Sequence, residues 1–325
     1  MNKYLLKNNC ISIGFNPING QDFFDLLSEY YYWIHSYYFS LTRHFYECIE
    51  YQQDQLIDQI LNLEKYNIPG NLIFNSRLDN NNDFEKIIPK IIDKINLSGV
   101  TFLNPELCER CKKLYPDIET HISIRYIDYM YQEKNIPPIN SLKYLIDRGI
   151  IKYIDVINIS GSYSYSDKEF SRICHEYGVK TKFLLREGCM VGKAFNYCKF
   201  PGMEHTSNAC KDHSKESFNV EDMPCRSVIK NNPWLILSDN RIYKEMIPMN
   251  DYDIIKISGR CHDCYQLKRE LEYITSVNPT MYINDHKIEN YNAFIEFCTY
   301  KNNNCIADCS KCRKCESFYK KIFNK

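Results

Sequence analysis

The sequence predicts a closed parallel (β/α)8 barrel, and three observations predict it. Eight short apolar runs lie between Cys10 and Ile257. Most of them alternate with stretches whose apolar residues recur at helical spacing, the beat of parallel β/α units. Eight such units in about 250 residues match the TIM-barrel size. An open doubly wound sheet shares that beat. However, no Gly-rich phosphate fingerprint follows the first run, where ISIGFNPINGQD stands, which removes weight from a dinucleotide-binding version.

Taken in order, the first strand is Cys10 to Phe15, ended by Asn16-Pro17, with a helix from Gln21 to about Tyr31. Ser36 to Leu41 is the second strand, running out at Thr42-Arg43-His44. Leu56, Ile60 and Leu63 set the helical period of Gln52 to Tyr66. Leu72 to Asn75 is the third strand, and Phe84 to Ile95 its helix, with Pro89 an awkward interruption. Gly99 to Leu103 is the fourth strand, then a short helix from Glu106 to Leu114. Thr120 to Ile124 is the fifth strand, ending at Arg125, and Ser141 to Arg148 a helix with Gly149 as its stop signal. Tyr153 to Ile159 is the sixth strand. Ser166 and Glu169 have capping-box spacing for a helix that Gly178 ends. Lys180 to Leu185 is the seventh strand, Asp253 to Ile257 the eighth, and Cys264 to Ile274 helical. Residues 1–277 are therefore read as the barrel domain and 278–325 as a Cys-rich appendage, with Ile288 to Phe297 helical and a basic helix at the end.

Composition narrows the function classes. Formal net charge is zero, so no global field draws the chain to nucleic acid or membrane. The residues from Met1 to Ser12 lack a cleavage site of small residues and do not read as a signal peptide. No run is long enough to span a bilayer. A cytoplasmic, reducing setting is expected. The 16 cysteines then point to metal or redox chemistry, not to disulfides.

The cysteines are not evenly spread. The connection between the seventh and eighth strands is far longer than the others and carries Cys189, Cys198, Cys210 and Cys225. Between them stand turn formers, including Gly192, Pro201, Gly202 and Pro224. Four thiolates on one irregular loop suit an iron–sulfur cluster or tetrahedral zinc. His205 and His213 lie in the same loop and could replace a thiol as ligand. In a barrel, loops after strands form the catalytic face. Polar residues at strand ends would share that rim: Asn16, Arg43, His44, Asn75, Arg77, Asn104, Glu106, Arg125, Ser160, Arg186, Glu187 and Arg260. Arg186, Arg125 and Arg260 could clamp carboxylates bidentately, and Glu187 is the candidate for proton transfer.

A second group, Cys305, Cys309, Cys312 and Cys315, occupies the tail. Its C-x3-C-x2-C spacing matches the radical S-adenosylmethionine signature, but no barrel follows it. A zinc or auxiliary iron–sulfur site is the expectation, and Cys261, Cys264 and Cys298 could share in it. Cys108-x-x-Cys111 opens a helix, where thioredoxin-like chemistry would need a lowered thiol pKa; its surroundings read instead as a packed helix face. No Gly-x-Ser-x-Gly, P-loop or His-Glu-x-x-His occurs.

Arg186-Glu187-Gly188-Cys189, the spaced cysteines after it, and Lys256-Ile257-Ser258-Gly259-Arg260 together resemble the collagenase-like peptidase family. The resemblance is specific only from Lys180 to Arg260. It implies a TIM barrel with a four-iron–four-sulfur cluster on Cys189, Cys198, Cys210 and Cys225. It also implies oxygen-independent hydroxylation, in ubiquinone synthesis or on RNA, with prephenate as a hydroxyl source. Two departures mark a divergent member: Ser258 stands where the family has an acidic residue, and Cys189 and Cys198 are more widely spaced. The expected function is therefore an iron–sulfur enzyme modifying a small acidic molecule, a peptide or RNA. The alternatives are a zinc- or cluster-stabilised binding module, whose tail docks a protein partner, and a peptidase, as the family name has it.

Overall fold

The computed structural model describes residues 8–15, 20–40, 53–74, 81–132, 134, 136–160, 168–184, 231, 233–234, 252–257, 264–275, 288–304 and 314–324. Its centre is a closed barrel of parallel strands in sequence order. These are β1 (Ile11–Gly14), β2 (Ile34–Phe39), β3 (Gly70–Phe74), β4 (Leu97–Phe102), β5 (Glu119–Ile122), β6 (Val156–Ser160), β7 (Lys180–Leu184) and β8 (Ile254–Ile257). β8 pairs with β1 to close the ring, Ile255 opposite Ile11. The chain is thus a (β/α)8 TIM barrel, as the alternation of runs predicts.

Between and after the strands run α1 (Gly20–Glu29), α2 (Gln53–Glu64), α3 (Asn81–Ile92), α4 (Pro105–Leu114), α5 (Ile124–Gln132), α6 (Pro138–Asp147), α7 (Lys168–Glu176) and α8 (Cys264–Thr275). Alternation along each strand sorts its side chains to two sides. The outward set packs under the helices: Ile11, Ile13, Tyr37, Phe39, Leu72, Phe74, Val100, Phe102, Ile157, Phe183, Ile255 and Ile257 all join one apolar core. Against it lie Phe23 and Leu27 of α1, Leu107 and Cys111 of α4, Leu142 and Leu145 of α6, and Leu267 and Leu271 of α8. That core ends in sequence at Ile274.

Helix ends follow local chemistry. Asn104 caps α4, its Oδ1 accepting from the Glu106 N–H at 3.0 Å, with Pro105 in the first turn. α6 and α7 both end in Schellman turns. Gly149 and Gly178 take φ of 66° and 73°, and the bonds Ile150 N–H to Leu145 O and Val179 N–H to Cys174 O close them. α3 runs through Pro89, which lacks only one donor of the ladder.

Two strand pairs are tied by the same joint at the end where strands begin. Asp155, just ahead of β6, accepts at Oδ2 from the Thr120 N–H of β5 at 2.7 Å. Asp253, just ahead of β8, accepts from the Thr181 N–H of β7 at 2.7 Å and from the Thr181 hydroxyl at 3.1 Å. Each aspartate's own N–H returns to the carbonyl of the same threonine.

Beyond the barrel core, α9 (Tyr291–Asn304) and α10 (Lys314–Ile322) pack on each other through Phe297, Tyr300 and Phe318.

Candidate functional site

Many of the inward side chains of the strands are polar, where a barrel interior is commonly branched and apolar. By register and alternation they are Ser12, Ser36 and Tyr38, Asn71 and Ile73, Gly99 and Thr101, His121, Val156 and Asn158, Lys182 and Leu184, and Ile254 and Lys256. None of them belongs to the outer apolar core. Ser12, Ser36, Asn71, Thr101, His121, Asn158 and Lys182 are all at most 4% exposed. A barrel stacks inward residues in layers drawn from alternate strands. The odd strands supply Ser12, Asn71, His121 and Lys182; the even strands supply Tyr38, Thr101, Asn158 and Lys256, nearer the C-terminal mouth.

Two bulges at the start of the barrel shape the lower lumen. Ile11 faces Ile34 but Ser12 faces Ser36, so His35 is the extra residue of β2. Gly70 faces Leu97 but Asn71 faces Gly99, so Ser98 is the extra residue of β4, its hydroxyl donating to the Gly70 carbonyl at 2.9 Å. Bulges re-aim side chains at functional rims. Here His35, Asn71 and Glu119 line a cavity of about 710 Å³ at this N-terminal end, with Asn96, Ser98 and Asp117. Gly99 leaves room for its neighbours: a Cβ there would collide with Asn71 Oδ1 and sit 3.0 Å from His121 Nε2.

The polar groups of the lumen are only partly satisfied. Glu119 accepts from Lys180 Nζ at 2.9 Å and lies 3.3 Å from His121 Nε2. The His121 hydrogen bond, working against burial and helped by Lys180, holds the Glu119 carboxyl well below the usual carboxylate range. Burial, with Lys182 nearby, pulls His121 down to about 4, so its imidazole is neutral at physiological pH. With Nε2 donating to Glu119, Nδ1 carries the lone pair, and that atom has no partner. Asn71 Oδ1 and Asn158 Oδ1 are also buried without a donor, while Asn158 Nδ2 donates to the Ile122 carbonyl at 2.8 Å. Burial pulls the Lys182 ammonium down to about 8. Higher in the barrel, Lys256 Nζ sits 4.1 Å from the ring centre of Tyr38, whose hydroxyl donates to the Ile257 carbonyl at 2.7 Å.

Several residues singled out in the sequence have other places. Arg125 is not a strand end: β5 stops at Ile122, and Arg125 is half-buried in the first turn of α5, its N–H on Ser123 Oγ at 3.2 Å. Asn104 is a helix cap, and Glu106 lies 3.7 Å from Arg148 across α4 and α6. Cys108 and Cys111 are fully buried in the core; burial drives the first thiol up and pushes the second up to about 12. They pack the face of α4 and are no thiolate pair. Cys298 and Cys315 are buried on α9 and α10. Arg186, Glu187, Arg260, Cys189, Cys198, Cys210, Cys225, Cys305, Cys309 and Cys312 lie outside the described residues. Among the described residues no group of three or more His, Cys, Asp or Glu side chains could hold a metal. Most of the described cysteines are buried. The lumen set itself escaped the sequence reading, which looked at strand ends. Its signal was the polar residue recurring inside otherwise apolar strands, as in Lys180-Thr181-Lys182-Phe183-Leu184.

The closed parallel barrel defines the chain as a (β/α)8 barrel protein. No family model matches the sequence, and no curated protein matches it. Among solved structures it is similar to the U32 peptidase Mk0906, at 11% identity and a TM-score of 0.47, covering 77% of this chain and 93% of that one. It is also similar to a structure titled "The crystal structure of AsfvAP:AG", at 12% identity and a TM-score of 0.42, covering 86% of this chain and 99% of that one. No described helix is long and apolar enough to cross a membrane.

Proposed function

We propose that the chain is an iron–sulfur barrel enzyme of the collagenase-like peptidase type, carrying out an oxygen-independent, hydroxylation-type modification of a small acidic molecule, a peptide or RNA in the cytoplasm. The observation that supports it is the closed barrel itself. β7 ends at Leu184, a few positions before Arg186, Glu187 and Cys189 in the sequence, and β8 ends at Ile257, just before Arg260. The two strands are neighbours in the ring.

The donor set fits the group. Cys189, Cys198, Cys210 and Cys225 offer four soft thiolates, the ligand count of a four-iron–four-sulfur cluster. The cluster would supply one-electron chemistry when bound. The chain's own work is binding and proton handling. Arg186, Arg125 and Arg260 would pair with the acidic end of the substrate, and Glu187 would hold the proton. The polar mouth layer of Tyr38, Thr101, Asn158 and Lys256 would floor the site. A second metal, zinc or iron–sulfur, would sit on Cys305, Cys309, Cys312 and Cys315, stabilising a tail that docks a partner.

Purification without oxygen, with iron and acid-labile sulfide assays and the visible spectrum, tests the reading. A loss of about four iron and four sulfide per chain on Cys189→Ser and Cys225→Ser, leaving any metal of the tail in place, is expected. A protein that carries zinc alone, its content unchanged by Cys189→Ser, overturns it in favour of a zinc-stabilised binding module.

A further inference from the structure

The buried amine of Lys182 has no part in that reading, and its surroundings give it one. Its side chain is 2% exposed and inward, opposite Asn158 on β6 and Ile254 on β8. No hydrogen bond or ion pair ties it to another described residue. Around the same lumen, His121 Nδ1, Asn71 Oδ1 and Asn158 Oδ1 are buried acceptors without donors. His121 is oriented through its other nitrogen by Glu119, which Lys180 fixes in turn. An amine, an imidazole lone pair and a carboxylate that sets the imidazole's tautomer are the residue types of a nucleophile–base–orienter set, here on β5 and β7, two strands apart in the ring.

We propose that Lys182 is a carbonyl-trapping nucleophile that forms an imine with a small aldehyde or ketone admitted to the barrel lumen, with His121 as proton carrier and Glu119 as the residue positioning it. The Nζ lone pair forms the C–N bond while the carbonyl π pair moves to oxygen. The first Nζ proton passes to His121 Nδ1 and then to that oxygen, giving a carbinolamine. The second Nζ proton follows the same route, the hydroxyl leaves as water, and the nitrogen pair closes the C=N bond. Amine and carbonyl become imine and water, with no oxidant or reductant consumed. The unpartnered Asn71 and Asn158 oxygens supply acceptors for the carbinolamine hydroxyl and for the departing water. The lowered basicity of Lys182 leaves a share of free amine near neutral pH, and the neutral His121 is ready to accept.

Reductive trapping tests this without the iron–sulfur reading. The full-length protein is incubated with glyoxylate or propionaldehyde and sodium cyanoborohydride, and the adducts are mapped by peptide mass spectrometry. The expected result is preferential modification of Lys182 over Lys180, its half-exposed neighbour two residues away. His121→Gln, checked for folding by circular dichroism, should slow the Lys182 adduct by about a hundredfold, the usual contribution of a positioned base. Modification that follows exposure, with Lys180 and other surface lysines labelled and Lys182 untouched, overturns the proposal on the wild-type protein alone. An unchanged Lys182 rate in a folded His121→Gln protein overturns the role of the imidazole. Iron content bears on neither outcome.

Discussion

Lys182, His121 and His35 are charges and near-charges held in a place that disfavours charge. Burial pulls both histidines from 6.5 to about 4, with Lys182 adding to each. An unfolded chain protonates them from about pH 6.5 downward, whereas the folded chain resists until about 4. Their stabilising effect is therefore complete above pH 6.5 and is lost as pH falls toward 4, on the order of 3 kcal/mol for each histidine. Urea unfolding at pH 7 and pH 4.5 should show that loss, and His121→Gln should shrink it; a flat profile would contradict buried neutral rings. Lys182 acts in the alkaline range. Its folded value of about 8 lies below the ordinary 10.5, so the unfolded chain binds more protons between the two. Stability should climb from about pH 8 to 10.5, and Lys182→Met should abolish the climb. These residues were invisible as a site in the sequence because a lysine inside a strand reads as a solvated edge until the ring closes around it. Arg125 shows the converse: a strand-end arginine in the sequence, it belongs to α5, which starts at Ile124, the residue read as the last of the strand.

The strands and helices were legible because each carries its own local signal. Gly149 and Gly178 stop α6 and α7 where the sequence places them, both at positive φ. Gly178→Ala should cost about 1 kcal/mol through the left-handed backbone alone, measured as a shift in unfolding midpoint. Gly99 differs in kind: a methyl there meets Asn71, His121 and the Glu119 carbonyl oxygen, the last at 3.2 Å. Gly99→Ala should cost about 1–3 kcal/mol by overpacking and also disturb the pairing of His121 with Glu119. A thermal melt that leaves Gly99→Ala at the wild-type midpoint would show that the lumen has slack. α5 went unread because Ile124, Tyr126, Ile127 and Tyr129 are residues that favour a strand in isolation; packing of Tyr126, Ile127 and Met130 into the core decides for the helix. The bulges at His35 and Ser98 carry no sequence signal of their own, since register is set by the neighbouring strand.

At the scale of the whole molecule, closure of the ring follows from the count and beat of the runs, and the sequence reading and the structure agree on all eight strands. What the sequence could not convey is which residues of those runs meet in the middle, because that depends on register summed over eight pairings. The cysteine-bearing connection from 185 to 253 leaves after β7 and must come home to β8 in the correct register. Asp253 is the last residue before that strand, and its carboxylate grips the Thr181 N–H and hydroxyl while His175 Nε2 lies 2.8 Å away. Replacing it with Ala removes charge-assisted bonds worth about 1.5–3 kcal/mol, and the loss should appear in equilibrium unfolding. Asp155 fastens β6 to β5 in the same manner, where the connection is far shorter. A clasp at the foot of the barrel that works regardless of how far the chain has strayed frees the opposite end for elaboration. Once the returning strand is seated by its own anchor, lengthening the excursion adds only the slow logarithmic cost of a longer tether. This architecture can therefore grow new segments at its mouth while its walls keep their alignment.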